Sequence, residues 1–139
     1  ATAPAAAAQK SNAHIVIAGS GLGGIAVASR LMKLIDGARV TIIDARDQHY
    51  YQPGFTLVAT GVWPVGKVRD PTADFIPAGV KWIPEMVAEF DPAANAVVTS
   101  GGERIRYDYL VVATGLQLDY AQIDGMDAAA IGRDGLASV

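Results

Sequence analysis

In the run Ile15-Val-Ile-Ala-Gly19-Ser20-Gly21-Leu22-Gly23-Gly24, three glycines stand at the spacing Gly-x-Gly-x-x-Gly. A second apolar run, Val40-Thr-Ile-Ile, ends in an acid, Asp44, 25 residues after Gly19. Each part answers to a different piece of a nucleotide. Gly19 permits a tight turn out of a strand, Gly21 lets the backbone approach a pyrophosphate, and Gly24 lets a helix pack against the sheet. The helix start offers unpaired N–H groups and a partial positive charge to the phosphates. A carboxylate at Asp44 can accept hydrogen bonds from both hydroxyls of an adenosine ribose, and it repels a 2′-phosphate. Arg46, two residues on, tempers that repulsion.

Three elements must hold these residues in place. The apolar run before Gly19 reads as a strand. Over residues 22–35, Ile25, Ala28, Leu31, Leu34 and Ile35 recur at helical spacing, with Arg30 and Lys33 between them and Gly37 as a stop. The run before Asp44 is a second strand. Strand, glycine turn, helix, strand and acid together form the dinucleotide-binding βαβ fingerprint, which is far more specific than the glycines alone.

Composition narrows the chemistry. The 139 residues suffice for one domain with a core, and a net charge of −3 argues against nucleic acid as a partner. No apolar run approaches the roughly 20 residues of a membrane span. The absence of cysteine excludes disulfides, thiolate metal sites and a cysteine nucleophile within the chain. His14 and His49 are too few and too isolated for a metal site; His14 is expected to be exposed at a strand start, and His49 solvated or packed in a loop. Residues 1–13, rich in alanine with a proline, are expected to form a disordered tail. An opening without Met fits removal of an export signal, removal of Met, or cloning.

Past Asp44 the pattern changes. Residues 45–79 hold Pro53-Gly54, Gly61, Pro64, Gly66, Asp70-Pro71, Pro77 and Gly79, and predict loops with one short helix over 72–76. Residues 80–83 predict a third strand. Three short runs follow, over 86–91, 96–99 and 103–107, separated by turns at 92–95 and 100–102. Residues 109–115, Tyr-Leu-Val-Val-Ala113-Thr114-Gly115, then read as a buried strand entering a small-residue turn. A meander crossover leading to Ala-Thr-Gly resembles the first FAD half-domain of the two-dinucleotide-binding flavoproteins. The expected fold is therefore α/β: a Rossmann-like βαβ half-domain with an antiparallel β-meander crossover.

Three further segments narrow the resemblance. His49-Tyr-Tyr-Gln52-Pro-Gly-Phe-Thr-Leu-Val58, the stretch 69–83, and Gly115-Leu-Gln-Leu-Asp-Tyr120 strongly resemble sulfide:quinone oxidoreductases, especially the mitochondrial branch. The similarity runs over about residues 14–127. It implies non-covalent FAD, with Leu22 and Gly23 in the turn that meets its pyrophosphate, and Asp44, followed by Ala45, at the adenosine ribose. It further implies that Gln52 contacts FAD, that the Val87 backbone pairs with the adenine edge, and that Ala113, Thr114 and Gly115 line the cofactor side of the last strand. Tyr50, Tyr51 and Phe55 read as loop packing, and Trp63 and Trp82 as core or rim.

In that family two redox cysteines accept sulfide beside the flavin, which takes two electrons and passes them to a membrane quinone. Both cysteines, the second FAD motif and the membrane-binding helices lie downstream of the region matched here. Residues 14–139 are thus expected to be the N-terminal FAD-binding segment of a larger flavoprotein, with no catalytic residue and no metal of its own. Sulfide and quinone would engage the downstream parts, and the parent would lie on the cytoplasmic membrane, on a side left open, export included. Three alternatives remain: the flavoprotein subunit of a flavocytochrome c sulfide dehydrogenase, a type II NADH:quinone reductase, and a non-catalytic dinucleotide-binding module.

Overall fold

The structure is a computed structural model that describes residues 9–133. In chain order its strands and helices are β1 (Gln9–Lys10), β2 (His14–Ala18), α1 (Leu22–Leu34), β3 (Ile35–Asp36), β4 (Arg39–Ile43), β5 (Gln48–Tyr50), α2 (Phe55–Ala59), β6 (Arg69–Pro71), β7 (Lys81–Ile83), β8 (Val87–Asp91), β9 (Ala96–Thr99), β10 (Arg104–Arg106) and β11 (Tyr109–Val112). Four strands pair in the order β11-β2-β4-β7, all parallel. The meander β10-β9-β8 forms a separate antiparallel sheet.

Strand alternation explains the layering. On one face of the parallel sheet, Ile15, Ile17, Val40 and Ile42 pack with Ala28 of α1. On the other, Val16, Ile43 and Ile83 meet Val97 and Ile105 of the meander. A central strand covered on both faces is apolar at nearly every position, and β2 and β4 are buried from their second residue on, Thr41 with its hydroxyl against His14 being the one polar residue among them. The result is three layers: helix, parallel sheet and antiparallel sheet.

Several expectations change in detail. The tail expected over 1–13 is structured at its end: Gln9–Lys10 pairs in parallel with Ile35–Asp36, and the Ser11 amide donates to the Asp36 carbonyl at 2.9 Å. Residues 1–8 and 134–139 lie outside the described residues. The helix stops at Leu34, one residue early, because Ile35 is drawn into that ladder. His14 is half-buried rather than exposed: its Nε2 lies 2.9 Å from Thr41 Oγ1, and burial together with the Arg39 charge pulls its pKa down.

The segment 45–79 is more ordered than its glycines and prolines suggest. β5 and β6 pair antiparallel, and the Thr72 amide closes onto the Asp47 carbonyl at 2.8 Å. Between them α2 makes one short helical turn, and Thr72–Phe75 is a 3₁₀ turn where a short helix was expected. His49 packs against Phe75 with ring centroids 4.5 Å apart.

Candidate functional site

The glycine turn, Asp44 and the end of β11 gather at the carboxyl ends of the parallel strands, where open α/β sheets place their ligands. The chain leaves β2 through Gly19, whose φ of +113° is in the region that favours glycine. A Cβ there would overlap the Ala113 carbonyl, so the turn is pressed against the end of β11. The Ala113 amide in turn donates to Ala18 at 2.8 Å. A Cβ on Gly24 would overlap the Gly19 carbonyl and touch Ile17. Two of the three motif glycines are thus required by packing within the chain. Gly21 and Gly23 are different: nothing presses on either, with the Arg46 guanidinium 3.8 Å from a Cβ at Gly21 and nothing near one at Gly23. Space beside these two is what a close-approaching ligand needs.

Gly21 is the N-cap of α1 and gives the first-turn amides no side-chain partner, and no acid stands in that turn. Those amides are available to an anion. Leu22, the first helical residue, is 78% exposed and lines the cleft beside this turn.

Asp44 follows directly on β4 and is buried, 6% exposed. Its backbone is fixed on both sides: the amide donates to Ile83 at 3.1 Å, and the carbonyl accepts from Trp82 Nε1 at 3.0 Å. Its carboxylate accepts from the Ser20 amide at 2.7 Å and the Arg46 amide at 2.9 Å. The Arg46 guanidinium completes the set, with Nη2 at 2.7 Å and Nε at 3.1 Å from Oδ2. Burial pushes the Asp44 pKa up, but the hydrogen bonds from the guanidinium and from the Ser20 and Arg46 amides outweigh it, holding the carboxyl at about 2. Asp44 therefore carries its charge throughout the physiological range.

Two clefts open here. One of about 360 Å³ brings together Gly19, Asp44, Val87, Thr114 and Gly115. The other, about 630 Å³, joins Ser20, Gly21 and Leu22 to Gln52 and Pro53. Arg46 lines both and stands between them. Ala45 is exposed beside Asp44, Gly23 lies exposed in the first helical turn, and Gly24 is buried beneath it. Sequence reasoning named all of these except the depth of Arg46's involvement and the apolar wall formed by Met86, Phe90 and Leu116. The exposure of that wall, 58%, 41% and 99%, has no signature in the sequence. A wider polar concavity of about 780 Å³ lies at the opposite ends of the strands, near His14, Arg39 and Arg106, and shares no glycine-turn residue. Among the described residues no group of His, Asp and Glu could hold a metal ion.

The geometry is of a nucleotide-binding class: open glycines, uncapped helix amides and a buried acid converge at the carboxyl end of the parallel sheet, and a meander replaces the second helix. Residues 13–138 match the sequence profile of the pyridine nucleotide-disulphide oxidoreductases, and the chain belongs to that family. The fold is its flavin-binding, Rossmann-like one.

Within that family the chain is 39% identical over 130 residues to the mitochondrial sulfide:quinone oxidoreductase of Dictyostelium discoideum, covering 93% of this chain and 28% of that protein. It is 38% identical over 117 residues to the mitochondrial enzyme of Mus musculus, covering 84% of this chain and 26% of the relative. The crystal structure of the sulfide:quinone oxidoreductase of Aquifex aeolicus superposes with a TM-score of 0.69 at 35% identity, over 78% of this chain and 25% of that one. The chain spans about a quarter of the length of the relatives it matches.

Proposed function

We propose that residues 14–139 are the N-terminal FAD-binding segment of a larger flavoprotein that oxidises sulfide and delivers the electrons to a membrane quinone. The observation that carries this is the convergence of the open Gly21 and Gly23, the free first-turn amides and the buried Asp44 on one cleft edge, in a chain 38–39% identical to sulfide:quinone oxidoreductases. The residues fit an ADP-bearing group. Leu22 and Gly23 offer backbone amides to a diphosphate, Asp44 faces a ribose diol, Val87 borders the adenine end, and Thr114, Gly115 and Gln52 line the path beyond.

Bound flavin supplies two-electron chemistry, and the protein supplies position and electrostatics. This chain's part is to hold and orient the adenosine diphosphate end. With no cysteine it provides no sulfur acceptor, so sulfide and quinone engage segments downstream. In the flavocytochrome relatives a cysteine in the segment after the second βαβ strand tethers the flavin; here Pro53, just past β5, stands at the matching position and cannot form a thioether, so the flavin is held without a covalent bond. No helix among the described residues is long and apolar enough to cross a membrane; association with the bilayer is peripheral and falls to other segments.

The test is flavin retention in the full protein carrying these residues. The parent should purify yellow, release all its colour on acid precipitation, and reduce a soluble quinone when sulfide is added. A Gly21→Val variant should lose its flavin. Full occupancy in that variant, or a parent without flavin, would overturn the assignment.

A further inference from the structure

We infer that Arg46 makes the site selective for nucleotides that bring a diphosphate, because its guanidinium and a ribose diol claim the same acceptor atoms of Asp44. The inference rests on the adenosine-diphosphate reading above. A carboxylate offers about four lone-pair sites. Here Oδ2 accepts from the Ser20 amide, Arg46 Nη2 and Arg46 Nε, and Oδ1 accepts from the Arg46 amide and shares Nε. The carboxylate is fully subscribed. The two amides are fixed by the backbone, so only the guanidinium can leave.

Ribose binding at Asp44 therefore breaks a bidentate charged pair, among the stronger hydrogen-bonded contacts a protein makes. The lost pair must be compensated. The Arg46 side chain is 56% exposed and stands between the two clefts, so it is free to turn without disturbing the core. Its Nη2 already lies 3.8 Å from where a Cβ on Gly21 would be, at the mouth of the phosphate turn. A guanidinium released from Asp44 has a diphosphate within reach as its new partner. Adenosine alone offers no such partner. Arg46 thus penalises a bare nucleoside and rewards one carrying phosphates.

The experiment is calorimetric titration of the full protein, stripped of bound nucleotide, with adenosine, ADP and FAD as probes. Arg46→Ala should bind adenosine several-fold more tightly and ADP more weakly, so that the ADP-to-adenosine preference shrinks on the order of tenfold. Arg46→Lys keeps the charge and loses the fork, and should retain most of the preference for ADP. In an Asp44→Asn background, Arg46→Ala should leave adenosine affinity unchanged. That pair also answers the case in which Arg46→Ala, by leaving a buried acid unpaired, fails to fold. An equal change for adenosine and ADP, or weaker adenosine binding in Arg46→Ala, overturns the inference alone. A parent that binds neither ADP nor FAD overturns the flavin assignment with it.

Discussion

Asp44 is where charge, burial and ligand chemistry meet. Its folded pKa, about 2, lies below the ordinary aspartate value of 3.8. A depressed carboxylate stabilises the fold above the unfolded pKa and loses that stabilisation as pH falls through the folded one. The window here is pH 4 down to about 2. The increment is on the order of 1–2 kcal/mol, because Arg46 is half exposed and water weakens the pair. Urea midpoints measured from pH 5 to pH 2 should fall more steeply for the wild type than for Asp44→Asn. Parallel curves would mean that the acid's partners do not stabilise the fold. The acid itself was legible in the sequence, because strand-ending carboxylates at this distance from a glycine turn have a known task. Its four donors were not, since they depend on where the Ser20 amide points and which rotamer Arg46 adopts.

Among the elements, the glycine turn ties β2, α1 and β11 together, and its glycines differ in what they do. Gly24→Ala would force a Cβ against the Gly19 carbonyl, a backbone atom that cannot yield. The cost should be about 1–3 kcal/mol, as for overpacking elsewhere. Gly61 also has a positive φ, +75°, but open surroundings. Gly61→Ala should cost only the backbone strain, about 1 kcal/mol. Thermal unfolding should rank Gly24→Ala below Gly61→Ala, and the reverse order would argue against a packed turn. Regular elements announced themselves through period: β2, α1, β4 and the meander all fell within a residue or two of expectation. The segment 45–79 did not. Its order comes from contacts distant in sequence, such as Gln48 opposite Pro71 and the Tyr51 amide on the Val68 carbonyl at 2.9 Å. Pro71 and Gly54 read locally as loop formers, although Gly54 is buried against Trp63 and Val68.

For the whole molecule, the consequence lies at the sheet's margin. Among the described residues β11 pairs only with β2, leaving its other side as an edge of the parallel sheet. Tyr109 and Val112 on that strand are 65% and 60% exposed. Exposed apolar edges template association with other chains. Residues 1–139 expressed alone should elute from a sizing column as concentration-dependent oligomers, and Val112→Lys should shift them toward the monomer. The same preparation should reduce no quinone when given FAD and sulfide. Turnover above the uncatalysed rate would mean that the sulfur chemistry resides in this segment after all.

Trp82 gives the site an optical reporter. Its indole is anchored by Nε1 to the Asp44 carbonyl, so the fluorophore sits one peptide unit from the group assigned to the ribose. Isoalloxazine absorbs where tryptophan emits, so flavin capture should dim Trp82 by energy transfer without any label. Trp63, the other tryptophan, lies under Lys67 in the 45–79 segment. Stopped-flow emission of the stripped parent mixed with FAD should show a fast quench whose amplitude falls in Trp82→Phe. A quench of unchanged amplitude in that variant would place the emitting residue elsewhere. The hydrogen bond that stiffens the strand end thus converts occupancy of the cleft into a light signal.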